Sequence, residues 1–147
     1  MKLYTIGFTQ KTAETFFGLL KRNRVDVLVD VRLNNRSQLA GFAKDPDLCF
    51  FLDRICGIRY IHDTMLAPTE ELLKKYRSKE ISWEQYEILF EEIMKERGID
   101  QHIRTGYAGY QEKAVCLLCS EATADKCHRR LVAQHFSGVF PLETVHL

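Results

Sequence analysis

The sequence lacks an excess of charge of either sign, because 21 lysine and arginine residues face 20 aspartate and glutamate residues. The resulting formal net charge of +1 gives no bulk signal for binding to nucleic acid or to a membrane surface. Long apolar runs are also missing, since no stretch approaches the ~18–20 residues that a membrane-spanning helix needs. We therefore expect no membrane partner, and we look for function in local groups of residues.

A secretory signal is absent as well, because residues 1–8 contain neither a signal-peptide apolar core nor a small-residue cleavage site. We therefore expect a cytoplasmic protein. The five cysteines are an odd number, and the cytosol keeps thiols reduced, so a disulfide framework is not expected. A special role for a cysteine would then be catalytic or metal-binding.

Low complexity, internal repeats and disorder are not indicated by the composition. Hydrophobic residues make up 46% of the chain and charged residues 28%, which is ordinary for a globular protein. A length of 147 residues suits one domain, and we predict a single α/β domain over residues 1–147. The oligomeric state is left open.

Strand and helix patterns alternate along the first part of the chain. Residues 2–6 and 25–31 are rich in residue types that favour β-strands. Residues 10–22 between them carry apolar side chains at helical spacing, and Thr9 is the predicted cap of this helix. The middle of 25–31 is continuously apolar, which is typical of a strand buried on both faces of a parallel sheet. We predict a three-layer, Rossmann-like α/β fold with a mainly parallel sheet flanked by helices.

The rest of the chain continues this alternation. A third clear strand covers residues 114–118, and the helix after it is predicted to begin at Thr123 or Asp125. The other predicted elements are helices at 46–55, 69–78 and 82–97, strands at 59–62 and within 139–147, and loops at 33–44 and 104–113. The predicted helix boundaries are Asp45, Gly57, Thr69, Ser82 and Gly98.

Polar or conformationally special residues follow three of the predicted strands. Ligands of α/β proteins bind at the carboxyl ends of parallel strands, so these residues are expected at one rim of the sheet. The candidate catalytic residues are Asp30, Cys119, Glu121 and His128. The candidate substrate-binding residues are Thr5, Gly7, Arg32, Cys127 and Arg129.

Side-chain alternation within a strand assigns some of these residues to faces of the sheet. Asp30 and Arg32 share one face, Cys119 and Glu121 share one face, and Cys116 points away from Cys119. A single cleft requires Cys119 to lie on the same face as Asp30 and Arg32.

The residue types predict thiol chemistry on an anion. Cys119 would be the nucleophile or redox thiol, because a helix N-terminus and nearby cations lower the pKa of a thiol. Glu121 or His128 would move protons, and Arg32 and Arg129 would bind a phosphate or carboxylate with paired hydrogen bonds. These roles point to an enzyme that acts on a small phosphate-bearing, nucleotide-like substrate.

Three segments in this order resemble the DUF488 family, whose function is unknown. They are Thr5-Ile-Gly-Phe-Thr9, Leu28-Val-Asp-Val-Arg32 and the stretch from Cys119-Ser-Glu121 to Cys127-His-Arg129. The family shows T-I-G-x-S/T, D-V-R and C-x-E followed by C-H-R, and the resemblance runs nearly the whole length. Many members have a proline soon after D-V-R, where this sequence has Asn35. The resemblance implies an α/β domain and no established reaction.

Two other functions stay open. One is a nucleotide- or nucleic-acid-binding module without catalysis, with the basic cluster at 74–79 or Tyr107 and Tyr110 as contacts. The other is a metal site at Cys119, Cys127 and His128, with Glu121 as a further ligand.

The structural alternative has no site at all. The cysteines would then be small core residues, and Arg129 would pair with Asp30.

Overall fold

Five parallel strands form the centre of the fold. The computed structural model describes residues 1–36 and 40–147. The strands are β1 (Lys2–Gly7), β2 (Val27–Asp30), β3 (Arg59–His62), β4 (Ala114–Cys119) and β5 (Thr144–His146). They lie in the order β3-β2-β4-β1-β5, and every pair is parallel. The continuously apolar β4 occupies the middle, where all of its residues are buried.

Helices cover both faces of this sheet. They are α1 (Ala13–Arg22), α2 (Asp47–Phe51), α3 (Glu70–Arg77), α4 (Trp83–Glu96), α5 (Ile99–Gly106) and α6 (His128–Val139). The face covered by α1 and α2, here called the α1 face, has a core that includes Ile6, Phe8, Phe16, Leu28, Leu48 and Leu118. The face covered by α3 to α6, here called the α6 face, has a core that includes Val29, Leu72, Phe90, Ile103, Leu117 and Leu131. The predicted three-layer, Rossmann-like α/β architecture is therefore confirmed.

Several helix boundaries follow from capping residues in the sequence. Thr69 and Ser82 accept hydrogen bonds from the first turns of α3 and α4, as predicted, and Ser82 forms a capping box with Gln85. Gly57 and Gly98 have φ angles of 65° and 62°, a left-handed conformation that glycine adopts without strain.

Two helix starts were predicted too early. Helix α1 begins at Ala13, because Thr12 caps it by accepting a hydrogen bond from the Thr15 N–H at 3.1 Å. Thr9, the predicted cap, instead donates to the carbonyl of Ser120 at 2.8 Å. Helix α6 begins at His128, after a turn. In this turn the Ser120 carbonyl accepts a hydrogen bond from Thr9, and the Glu121 carbonyl accepts one from Arg129.

Three further boundaries differ from the prediction. Helix α2 begins at Asp47 with Pro46 at the N-cap, and a π-helical turn over Leu52–Cys56 continues it. The predicted loop at 104–113 is partly helical, because α5 starts directly after Gly98 and buries Ile99 and Ile103. The last strand forms only at Thr144–His146, since Val139 still belongs to α6.

Membrane insertion was not expected from the sequence. In the part of the chain that the structure describes, no helix has the length and apolar character needed to cross a bilayer.

Candidate functional site

The residues at the end of β1 form close contacts with the turn that follows β4. The backbone N–H and the hydroxyl of Thr9 both donate to the carbonyl of Ser120, at 3.1 and 2.8 Å. Gly7 lies opposite Cys119 in the sheet, and a Cβ atom at Gly7 would overlap the carbonyl group of Glu121. The Thr-Ile-Gly-Phe-Thr segment therefore fixes the path of the turn through close backbone contacts that only glycine at position 7 allows.

Arg129 is a fully buried cation that ties this turn to β1. Its Nη1 donates to the Glu121 carbonyl at 2.5 Å and to Cys127 Sγ at 3.6 Å, and its Nε donates to Thr5 Oγ1 at 3.3 Å. Thr5 Oγ1 also lies 2.6 Å from His146 Nδ1. The alternative pairing of Arg129 with Asp30 is wrong, since no carboxylate forms an ion pair with Arg129 among residues 1–36 and 40–147.

The positive charge of Arg129 changes the pKa values of two neighbouring side chains. Burial and the charge of Arg129 both lower the pKa of Lys11, which follows β1. Burial and Arg129 also lower the pKa of His146 at the end of β5. Arg129 therefore makes a positive contribution to the potential at this end of the sheet.

The thiol cluster lies beside Arg129 on the α6 face and consists of Cys119, Cys127 and His128, all buried. Cys119 Sγ lies 3.5 Å from His128 Nδ1, and His128 Nε2 lies 2.8 Å from the carbonyl oxygen of Val31. Because a carbonyl oxygen only accepts, Nε2 carries the hydrogen, and in the neutral ring Nδ1 is free to accept a proton from Cys119.

The two cysteines of the cluster have opposite pKa shifts. The pKa of Cys119 is lowered, chiefly because the Cys127 thiol donates a hydrogen bond to it, with help from the Ser120 N–H and the charge of Arg129 against the effect of burial. The pKa of Cys127 is raised well above its usual value by the same hydrogen bond and by burial. Cys119 is therefore the thiol of the pair that ionises more readily, and it lies beside the positive charge of Arg129.

A second buried polar group, the Asp30–Arg32 pair, lies at the end of β2. Arg32 Nε and Nη2 donate to the two carboxylate oxygens of Asp30 at 2.8 and 2.7 Å, and the Tyr60 hydroxyl donates to Asp30 at 2.7 Å. The guanidinium of Arg32 also lies 5.1 Å over the ring of Phe8 and donates from Nη2 to the Ala43 carbonyl at 2.8 Å. Its buried Nη1 has no hydrogen-bond partner within the described residues.

The sheet separates the Asp30–Arg32 pair from the thiol cluster. Asp30 pairs with Leu118 in register, and paired residues of parallel strands point to the same face, so Asp30 lies on the α1 face and Cys119 on the α6 face. The prediction of one cleft lined by all nine residues is therefore corrected to two groups, one on each face. The backbone of Val31 links them, because its residue follows Asp30 and its carbonyl binds His128.

Other sequence-based candidates have structural contacts. The Glu121 residue is exposed, and its backbone carbonyl, rather than its carboxylate, binds Arg129. Tyr107 is buried, packs on Phe136 at 4.9 Å between ring centroids, and donates its hydroxyl to Asp63 at 2.7 Å. The Tyr107 ring is therefore unavailable for stacking on a base.

Two surface interpretations can also be compared with the structure. Lys74 and Lys75 form ion pairs with Glu70 and Glu71, one helical turn earlier, which is typical of a solvated helix face. The predicted loop at 33–44 includes positions 37–39, which lie outside the described residues, while the ring centroid of its Phe42 lies 5.4 Å from that of Phe16.

Asn35 replaces the proline of many DUF488 members. Its side-chain amide donates to the Tyr60 hydroxyl at 3.0 Å, and that hydroxyl in turn donates to Asp30. A proline could not make this contact, so Asn35 adds a third layer of hydrogen bonding around the buried carboxylate.

Sequence reasoning missed the groups that orient the site. The Val31 carbonyl carries no side-chain signal, and Tyr60 belongs to a short strand without a recognisable motif. His146 lies in the short last strand, and its contact with Thr5 depends on how β5 pairs with β1.

The thiol cluster also has the donor set of a metal site. The sulfur atoms of Cys119 and Cys127 and a ring nitrogen of His128 lie within 4.8 Å of one another. Three protein ligands suit a catalytic zinc site, and a histidine ligand commonly donates its other N–H to a carbonyl, as His128 does here. The predicted fourth ligand, the carboxylate of Glu121, is not part of this described group.

The comparison with protein families matches a part of the chain that contains two of the three motif segments. The model of the domain of unknown function DUF488 matches residues 12–136, so it includes the Asp-Val-Arg and Cys-His-Arg segments and leaves out Thr5 to Thr9. Neither the curated proteins nor the solved structures gave a significant match. Since the family model covers most of the 147 residues, this chain belongs to the DUF488 family.

Proposed function

We propose that this protein is an enzyme that uses Cys119 as a nucleophile on a small anionic, phosphate-bearing substrate. One observation carries the proposal: Cys119 Sγ faces His128 Nδ1 at 3.5 Å, while the Val31 carbonyl holds the other ring nitrogen at 2.8 Å. The nucleophile Cys119 thus contacts the base His128, and the base contacts its orienting group, the Val31 carbonyl, as nucleophilic catalysis requires.

The proposed roles follow from this order. His128 Nδ1 accepts the proton of Cys119 and returns it to the leaving group, and Cys127 donates a hydrogen bond that stabilises the thiolate. Asp30 does not contact Cys119 in this scheme, because it lies on the α1 face of the sheet. There it accepts hydrogen bonds from the guanidinium of Arg32. The exposed carboxylate of Glu121 is kept as a second candidate proton carrier.

The positive charge of Arg129 beside β1 supports an anionic substrate. The described hydrogen bonds of Arg129 use Nε and Nη1, to Thr5, Glu121 and Cys127, and none of them uses Nη2, so the charge of the guanidinium can act on an anion. Arg32 has an NH2 group, Nη1, without a partner among the described residues, but it is buried on the α1 face, across the sheet from Cys119. The nucleotide-like substrate and the cytoplasmic location remain parts of the proposal.

Alkylation with iodoacetamide over a pH series, read residue by residue by mass spectrometry, tests this proposal. We expect the labelling of Cys119 to have a midpoint below the ~8.5 of a free thiol, because its pKa is lowered in the fold, whereas the exposed Cys49 is the reference for unhindered access of the reagent. Labelling should rise with pH through that midpoint. Cys116 should stay unlabelled, because burial raises its pKa. Uniformly slow labelling in metal-free protein would contradict the proposal and favour a binding module without catalysis.

A His128→Asn variant extends the same test. We expect its labelling of Cys119 near neutral pH to fall, because the variant loses Nδ1, the ring nitrogen 3.5 Å from Cys119 Sγ that accepts the thiol proton. Cys116→Ser is the matched control, because that thiol lies on the α1 face and its loss should leave the labelling of Cys119 unchanged.

A bound metal is the second candidate function, favoured by the three donor atoms within 4.8 Å. It is tested by elemental analysis of protein purified without a polyhistidine tag. We expect folded, metal-free protein. About one zinc per chain that is lost in a Cys127→Ser variant would instead support the metal site.

A further inference from the structure

Two thiols share one small buried space at the end of β4. Cys119 and Cys127 are 6% and 2% exposed, and their sulfur atoms lie within 4.8 Å of each other. A disulfide requires about 2.05 Å between sulfur atoms, so the two sulfur atoms must move closer together before they can bond. The other cysteines lie elsewhere, with Cys116 on the α1 face and Cys49 and Cys56 in α2 and the turn after it.

The contacts of Cys127 allow this movement. Cys127 is the N-cap residue of α6, and its side chain makes no capping hydrogen bond. Its described donor partner is Arg129 Nη1 at 3.6 Å, and that guanidinium keeps its bonds to Glu121 and Thr5 if Cys127 turns away. The helix therefore does not depend on the position of the Cys127 sulfur.

The burial of the pair restricts which oxidants can reach it. Thiols that are only a few per cent exposed are poorly accessible to a protein disulfide, whose sulfur atoms carry bulky chains. A hydroperoxide such as hydrogen peroxide is barely larger than water and reacts with thiolates.

We propose that Cys119 reduces hydroperoxides and that Cys127 resolves the product as a reversible Cys119–Cys127 disulfide. This inference rests on the proposed role of Cys119 as nucleophile. It adds to that role a second substrate class, which is small and needs no anion-binding group.

The first step oxidises the sulfur of Cys119 by two electrons. The thiolate, whose proton has passed to His128, attacks one peroxide oxygen, and the S–O bond forms as the O–O bond breaks. The departing hydroxide or alkoxide takes that proton from His128 and leaves as water or alcohol. In the second step the sulfur of Cys127 attacks that of Cys119. The S–S bond forms as the S–O bond breaks, and the hydroxide leaves as water with the proton of Cys127. A small dithiol then returns both residues to thiols.

Peptide mapping after treatment with stoichiometric hydrogen peroxide tests the inference on the whole protein. We expect the intact mass to fall by two hydrogen atoms, the map to link Cys119 to Cys127, and dithiothreitol to reverse both changes. In Cys127→Ser the link should be lost, and Cys119 should instead be trapped as sulfenic acid by dimedone. Cys116→Ser should behave like the unaltered protein.

The outcomes separate this inference from the proposed function. Fast alkylation of Cys119 without a peroxide-induced link to Cys127 would overturn the inference and leave the proposed function standing. A Cys119 that neither alkylates nor oxidises would overturn both. Because the link is mapped in the unaltered protein, the test does not depend on whether the Cys127→Ser variant folds.

Discussion

Replacing Arg32 with methionine is expected to lower the free energy of unfolding by about 3–5 kcal/mol, the usual effect of leaving one buried charge without its partner. Asp30 has no exposed surface, and Arg32 donates to both of its carboxylate oxygens, at 2.8 and 2.7 Å. Among the described residues, the donors that remain to Asp30 in the variant would be the Tyr60 hydroxyl and the backbone N–H at position 32. Urea unfolding at neutral pH measures the change.

A double variant provides the control for Arg32→Met. Replacing Asp30 with leucine in the same chain removes the buried charge, and apolar replacement of a whole buried ion pair is often nearly neutral. We therefore expect the double variant to be more stable than Arg32→Met alone. Stability of Arg32→Met within about 0.5 kcal/mol of the unaltered protein, the range of an ordinary surface substitution, would show that the pair does not hold the end of β2.

Replacing Gly7 with alanine is expected to cost about 3 kcal/mol, at the upper end of the usual effect of overpacking. The new Cβ would overlap the Glu121 carbonyl group, which belongs to the backbone and can move only with the whole turn. Moving the turn breaks the 2.5 Å bond from Arg129 to that carbonyl and shifts the residues between the two cysteines. Both the unfolding free energy and the alkylation rate of Cys119 should therefore fall.

Gly138→Ala is the matched control for Gly7→Ala. A Cβ at Gly138 meets no atom within 4 Å, and the residue lies in the last turn of α6. Alanine at this position should stabilise the helix by at most about 0.5–1 kcal/mol, the effect of its higher propensity in a helix interior. If both glycine variants changed stability equally, the close approach of β1 to the turn would not matter.

Local patterns in the sequence were sufficient for most of the fold. The continuously apolar β4 and the caps at Thr69 and Ser82 depend on nearby residues, and the structure confirms them. Thr9 was misread because its hydroxyl binds the carbonyl of Ser120, which is distant along the chain. A capping pattern therefore failed where a long-range contact competed for the same side chain.

The candidate site shows a different limit of sequence reasoning. Alternation states which residues share a face within one strand, but it does not relate the faces of two strands. That relation depends on register, and the pairing of Asp30 with Leu118 turns Asp30 and Cys119 to opposite faces. The backbone carbonyl of Val31, which orients His128, has no side-chain signal at all.

The most direct test of the account is an NMR titration of the thiol cluster, following the Cβ shifts of Cys119 and Cys127 and the ring nitrogens of His128. We expect Cys119 to ionise below the ~8.5 of a free thiol and Cys127 above it, with the ring hydrogen on Nε2 of the neutral His128. Ionisation of Cys119 at or above the free-thiol value, or a ring hydrogen on Nδ1, would contradict the account.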